Sequence, residues 1–452
     1  MEKAQLLSRK EQKPNLSNLK STKHSQLIYR TYQSNVESDY TEKIEQLGKN
    51  FNYQRDGDRY WGPVELSTLY GTPLYAEASK AQKLALNHLY WVGQYNHTAN
   101  SEANTMLYNQ VTEGVFANFK DYQTLCAELQ FETTQERYHI KTFQKIGYKT
   151  KVAIFGKTGL GNPLARQSLD AVKQSLWRKS YQTSLEKARE ATFRFLTRTM
   201  LGGKKTCSQY LQEREADSIP TTNGGLAALT GSPSAFKFFT LNWGNSPFLA
   251  TQYYAVRMIA NMSLKTYEHQ YFKYFKRLDK AGNFIPTPTE VSYYHLLDES
   301  FHTTMSQVIA QELYRDFAQP TAYEKFVANL TIRLAQKGVL GGLSGGLPAV
   351  FRNDGFWLLS CYRLLQSPLF EMSSTQALQW MKKCFCEEHE GFHLNLKYHQ
   401  KLLTEFRRFF APFDYLQKAN RDLEIMAAGA SIDRALKNNR LAWQQFSQKI
   451  AA

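Results

Sequence analysis

Tyr293-Tyr294-His295-Leu296-Leu297-Asp298-Glu299-Ser300-Phe301-His302 is the stretch that decides the fold. At helical spacing, His295, Glu299 and His302 fall at i, i+4 and i+7 and share one face. A second stretch, Glu136-Arg137-Tyr138-His139, repeats the Glu-x-x-His pattern and again turns a carboxylate and an imidazole to one side. Helix-bundle di-metal carboxylate proteins use two such motifs, plus one lone Glu from each of two further helices. The expectation is an all-α four-helix bundle built around a di-metal centre.

The lone glutamates follow from heights. A helix rises about 1.5 Å per residue, so two residues equally far from a turn end up level. Glu102 and Glu136 are equidistant from Phe119, in the polar run Asn118-Phe119-Lys120-Asp121. Glu268 and Glu299 are equidistant from Asn283-Phe284, within Asp279-Lys280-Ala281-Gly282-Asn283-Phe284-Ile285-Pro286. Both midpoints have turn composition. Glu113 is the poorer partner for Glu136, because their midpoint falls inside a helical pattern. The predicted ligand set is Glu102, Glu136, His139, Glu268, His295, Glu299 and His302.

Roughly 0.6 Glu-x-x-His matches are expected by chance in such a chain, so one match means little. A third match, Glu390-Gly391-Phe392-His393, contains Gly and has no Glu placed symmetrically across a turn; it is read as structural. The paired motifs differ, because two motifs, two upstream glutamates, two midpoint turns and helical periodicity agree. Burying so many ionisable groups without a cation is costly.

Other patterns are rejected. Gly156-Lys157-Thr158 lacks the first Gly of a phosphate loop, where Lys151 stands. Gly342-Leu343-Ser344-Gly345-Gly346 follows a helix, whereas a nucleophile elbow follows a strand. Cys384-Phe385-Cys386 with His389 and His393 matches no common zinc spacing and reads as buried helical cysteine. Tyr138, Tyr293 and Tyr294 read as packing.

At 452 residues with 14% aromatics the chain can bury a large core. Five cysteines fit a reducing compartment. The polar N-terminus has no signal-peptide apolar run, and no stretch has the length of a membrane span, so a cytoplasmic protein is expected. The net charge is +16, but its basic residues form no long tract beyond pairs such as Lys204-Lys205 and Arg407-Arg408. Nucleic acid is one reading of that charge, and an acidic protein partner steered by it is an equally physical one; the acidic partner is the expectation adopted, with no nucleic acid. A basic helical nucleic-acid binder is the competing non-enzymatic reading.

Helical pattern fills most of the chain. Residues 1–35 read as a flexible arm and 54–75 as loop. Helices are expected at 76–119, with its weakest point at Thr98-Ala99-Asn100-Ser101, and at 122–146, 168–200, 247–278, 287–317 and 322–337. Residues 202–236 read as loop, and Gly338 to Pro348 break the pattern. The whole is read as one domain over 1–452, with a metal-binding core at about 76–317 and further helices over 318–452.

Asp298 precedes Glu299 and points away from that helix's ligand face. In a paired bundle it reaches the imidazole N–H of a metal-bound histidine, His139, and orients it. Gln135 stands at the equivalent place in the other motif. Mixed Glu/His ligation of two metals suits iron, or iron with manganese, and such centres activate dioxygen.

This pattern of four Glu and three His, over residues 102–302, resembles the arylamine (aminobenzoate) N-oxygenases, though those chains are shorter. The segment Pro286–Thr304 and the overall length are similar to a longer cyanobacterial branch of that superfamily, the dimetal-carboxylate halogenases of the cylindrocyclophane alkyl halogenase type. The resemblance implies a ferritin-like bundle elaborated by N- and C-terminal helices. It implies chlorination of an unactivated carbon on a fatty-acyl chain held by acyl carrier protein, in natural-product biosynthesis. Two iron ions, or a manganese–iron pair, dioxygen, chloride and an external electron donor would serve that reaction. A di-iron N-oxygenase or hydroxylase using the same site is the alternative.

Overall fold

The computed structural model describes residues 22–160, 184–203, 233–340, 342–346 and 357–451; these are helices and turns, with no strand among them. The longer helices are α1 (Lys23–Glu37), α2 (Thr41–Asn50), α3 (Lys80–Phe116), α4 (Gln123–Leu160), α5 (Ser184–Leu201), α6 (Pro233–Trp243), α7 (Pro247–Lys280), α8 (Thr287–Gln311), α9 (Ala322–Leu340), α10 (Trp357–Gln366), α11 (Ser374–Cys386), α12 (Glu390–Phe410) and α13 (Ile432–Ala451). The fold is the expected all-α, ferritin-like bundle, made of α3, α4, α7 and α8.

Local chemistry sets the helix ends. Before α3, the Ser79 side chain accepts from Gln82 N–H and the Gln82 side chain accepts from Ser79 N–H, a reciprocal cap. The Ser246 hydroxyl caps α7 in front of Pro247, whose missing N–H is no loss at that position. At the far end of α7, Gly282 takes φ +62°, Gly282 N–H donates to Asp279 O, and Asn283 N–H donates to Leu278 O. That is a Schellman stop, and it places the turn where the two glutamates are equidistant. The other turn falls between Phe116 and Gln123. α3 runs unbroken through Thr98–Ser101, because Thr98 and Ala99 are buried against the bundle and packing overrides weak propensity. Gly156, at φ 73°, interrupts α4 near its end.

Tyr90 stacks edge-on against Tyr267 at 5.9 Å, and the Thr105 and Tyr253 hydroxyls meet at 2.9 Å. These contacts make α3 and α7 antiparallel. Two apolar clusters fill the bundle. One gathers Val111, Phe116, Leu125, Leu129, Met258, Met305 and Ile309 with Phe406 and Phe410 from α12. The other gathers Trp91, Tyr95, Ile140, Phe143, Leu264 and Val291 with Met381, Cys384 and Phe385 from α11. Each large side chain so buried contributes roughly 1.5–3 kcal/mol. The polar layer at Glu102, Glu136 and Glu299 lies between these clusters.

The arm expected over 1–35 is, from Lys23 onward, the helix α1; residues 1–21 lie outside the described residues. Helix α1 packs on α4 and α8. Its buried face is Ser25, Ile28, Thr31 and Asn35, nearly all polar, so hydropathy gives no sign of it. His24 Nε2 lies 2.8 Å from Asp316 Oδ2, fastening the start of the helix. Most of the loop expected at 202–236 and the first half of the helix expected at 168–200 also lie outside the described residues.

Candidate metal centre

Glutamates at matched heights and histidines one turn away converge as the spacing predicts. Glu102, from α3, and Glu136 and His139, from α4, meet Glu268, from α7, and His295, Glu299 and His302, from α8. All are buried. One ligand atom from each of Glu102, His139, His295 and Glu299 lies within 4.8 Å of the others, and a second group joins Glu132, Glu136 and His302. His295 Nε2 is 2.9 Å from Glu102 Oε1, and His302 Nδ1 is 2.7 Å from Glu299 Oε1. His139 Nδ1 is 3.4 Å from Glu136 Oε2 and 3.8 Å from Glu102 Oε1. Glu268 lies outside both groups; its Oε1 is 3.5 Å from His295 Nδ1 and its Oε2 is 3.0 Å from Lys265 Nζ.

The imidazoles are held from behind. His139 Nε2 lies 3.2 Å from Asp298 Oδ2, and Tyr40 N–H donates to Asp298 Oδ1 at 3.2 Å. His302 Nε2 lies 2.9 Å from Gln135 Oε1, and Gln135 exchanges hydrogen bonds with Asn35 of α1. His139 and His302 thus turn Nδ1 inward and Nε2 outward, whereas His295 turns its Nε2 to Glu102. Asp298 is where the sequence placed it, and Gln135, its positional equivalent, completes the symmetry through the other histidine.

Sequence reasoning missed four participants. Glu132 and Glu128 stand one and two turns before Glu136 on α4, a stripe that i, i+4 spacing contained. Arg257 on α7 pairs with Glu132 and, at 3.2 Å, with Glu136. Lys265 pairs with Glu299 at 2.9 Å as well as with Glu268. Arg257 answers carboxylates from α4 and has no partner pattern in α7, whereas Lys265 stands at i, i+3 to Glu268 and also reaches Glu299 of α8.

Buried carboxylates outnumber Arg257 and Lys265. Burial pushes Glu102 well above the usual carboxylate range, and Glu136 adds to the rise. Burial opposes a proton on His302, but Glu132 and Glu299 overrule it and hold its pKa up at about 9. Likewise burial opposes, and Asp298 and Glu136 favour, a charged His139, whose pKa is raised well above its ordinary value. Glu102 Oε2, Glu136 Oε2, His139 Nδ1 and His295 Nδ1 make no hydrogen bond despite burial. Such atoms are costly unless a cation takes them. Oxygen and imidazole donors of this kind fit a pair of transition-metal ions.

The remaining expectations fall elsewhere. His393 is exposed and pairs with Glu388 at 2.9 Å, apart from the cluster. Cys384 and Cys386 are buried free thiols, and His389 Nε2 meets Cys384 O at 2.8 Å. Tyr293 stacks on Phe275 at 4.0 Å and Tyr294 on Tyr40 at 5.3 Å. Among the described residues no helix is long and apolar enough to cross a membrane.

Fold and site together define a ferritin-like helical bundle with a buried carboxylate–imidazole cluster suited to metal. The family model described as "Acyl halogenase CylC-like" matches residues 23–447. The chain belongs to that family of halogenases and is an enzyme. No curated protein and no solved structure matches it.

Proposed function

We propose that the protein chlorinates an unactivated aliphatic carbon of a fatty-acyl chain presented by an acyl carrier protein. The observation that carries this reading is the family's halogenase identity joined to a cavity that opens directly on the cluster. That cavity encloses about 760 Å³, part of it open to solvent, and Tyr108, Phe236, Trp243 and Tyr253 face Glu102, Glu136, Glu268 and Glu299 across it. An aromatic wall of this kind excludes water and lays an alkyl chain beside the metals.

Glu102, Glu136, His139, Glu268, His295, Glu299 and His302 would hold two iron ions, or a manganese–iron pair. Bound there, the pair supplies the reduction of dioxygen that makes an unactivated C–H bond attackable. The balance is R–H + Cl⁻ + O₂ + 2e⁻ + 3H⁺ → R–Cl + 2H₂O, so an external donor must deliver the electrons. Asp298 and Gln135 fix the tautomers of His139 and His302, keeping Nδ1 free for metal. Arg257 and Lys265 steady Glu136 and Glu299.

A second opening favours the carrier. His269 and Lys273 from α7 and Lys401 from α12 line a cavity that reaches Lys265. A carrier with acidic helices and a phosphate-bearing arm fits that basic mouth. The free buried thiols fit a reducing, cytoplasmic setting.

The test is product mass. Iron-loaded protein given acyl-carrier substrate, reductant, dioxygen and chloride should return an acyl chain with one hydrogen replaced by chlorine. Oxygenated product alone at every chloride concentration would overturn the halogenase reading and favour a hydroxylase. A nitro or hydroxylamino product from an amine would place the chain with the N-oxygenases.

A further inference from the structure

A halogenase must hold its halide close to the carbon it attacks, and the cluster offers no vacant ligand position in the sequence pattern. The cavity wall does offer a place. Arg257, Asn261 and Lys265 stand at i, i+4 and i+8 on α7, so they form one stripe along the cavity that also exposes Glu102, Glu268 and Glu299. Arg257 is engaged by Glu132 and Glu136. The other two have donors to spare. Asn261 is 9% exposed, yet its Nδ2 makes no hydrogen bond. Lys265 carries three N–H donors, of which Glu268 and Glu299 take two.

Helix α3 supplies a third group. The contacts Tyr90–Tyr267 and Thr105–Tyr253 set the antiparallel register, and halfway between them Thr98 falls level with Ile259 and Ala260, next to Asn261 along α7. Thr98 lines the same cavity, is 5% exposed, and its Oγ1 makes no hydrogen bond. It stands one turn before Glu102 on the face that carries that ligand.

We propose that Thr98, Asn261 and Lys265 form a halide site in the cavity wall, beside the carboxylate–imidazole cluster. The inference rests on the halogenase reading and says where its halide waits. An unpaired buried amide N–H and hydroxyl are costly, and an acceptor lodged against both satisfies them. Lys265 offers its remaining N–H, while Glu268 and Glu299 answer its charge. A chloride ion accepts from all three donors at once. By the same register the site falls along the cavity between Glu102 and Glu268, so a halide there is beside the cluster.

The test uses metal-loaded protein and bromide as a heavy stand-in for chloride. Crystals soaked in sodium bromide and measured at the bromine absorption edge should show an anomalous peak in contact with Asn261 Nδ2 and Lys265 Nζ. Asn261→Leu, close in shape, should abolish the peak with metal content and Tm unchanged, and Thr98→Val should weaken it. In steady state the leucine variant should raise the KM for chloride about tenfold, about 1.4 kcal/mol, with kcat at saturating chloride kept. A peak lying elsewhere, or one that survives Asn261→Leu, overturns the site. Normal chlorination by both variants at the wild-type KM for chloride overturns the site and leaves the halogenase reading standing. A peak at the site in a protein that chlorinates no acyl chain supports the site and overturns that reading.

Discussion

Gln135 and Asp298 hold the same place in their motifs, one residue before the glutamate, and each crosses to the histidine of the other helix. Support is therefore exchanged between α4 and α8: each helix carries candidate metal donors on one face and steadies its neighbour's imidazole with the residue before its glutamate. Removing a donor should cost more than removing its support. Glu136→Ala and His302→Ala should each leave the purified protein short of metal by elemental analysis. Asp298→Ala and Gln135→Ala should lower metal affinity roughly 10- to 100-fold, seen as easier loss to a chelator. Glu390→Ala and His393→Ala should leave metal content at the wild-type level, and a loss of metal in these two would move the centre to the C-terminal third.

At the scale of elements, the bundle was legible through carboxylates and imidazoles at helical spacing, placed evenly about two turns; apolar periodicity is weak in these helices, which are buried on several sides. Glu102 and Glu268 have no motif of their own, and turn position alone singled them out; the structure sets Glu102 in the cluster and Glu268 at its border. What escaped had a weaker signal. Glu128 and Glu132 stood on a visible i, i+4 stripe with Glu136; helix α1 buries Ser25, Thr31 and Asn35, so it reads as a solvated arm; Arg257 answers charges from α4, and Lys265 one from α8 as well as Glu268 of its own helix. Helix α1 also brings Asn35 to Glu128, whose Oε1 accepts from it at 2.9 Å. Burial, with Glu132, raises the Glu128 pKa to about 7 from its ordinary 4.5. The folded chain then binds this proton more tightly than the unfolded chain does. That stability is complete below the unfolded pKa and is lost as pH rises through about 7, a loss on the order of 3 kcal/mol. In metal-free protein, Glu128→Gln keeps the acceptor for Asn35 and removes the charge, so its Tm should exceed that of the wild type at about pH 8 and match it at about pH 4. Two Tm curves that run parallel across that range would show that Glu128 bears no such strain.

Across the whole molecule, the charge of +16 is spread through the chain, and the mouth lined by Lys273 and Lys401 is one place where it gathers near the site. Binding of an acyl carrier protein should weaken several-fold between about 0.1 M and about 1 M salt, as the screening length falls from about 10 Å to about 3 Å. Affinity that ignores salt in a titration by calorimetry would remove charge steering from the account. The two hairpins carry a further consequence, for the order in which the protein is made. Glu102 and His295 touch although 193 residues separate them. The α3–α4 hairpin leaves the ribosome long before α8 exists, and it closes on local contacts that form quickly. Alone it offers Glu102, Glu136 and His139, half of a cage whose histidine still lacks Asp298. On the proposed reading, metal capture waits for the second hairpin to dock, and an ion held across α4 and α8 would report that the chain has finished its topology.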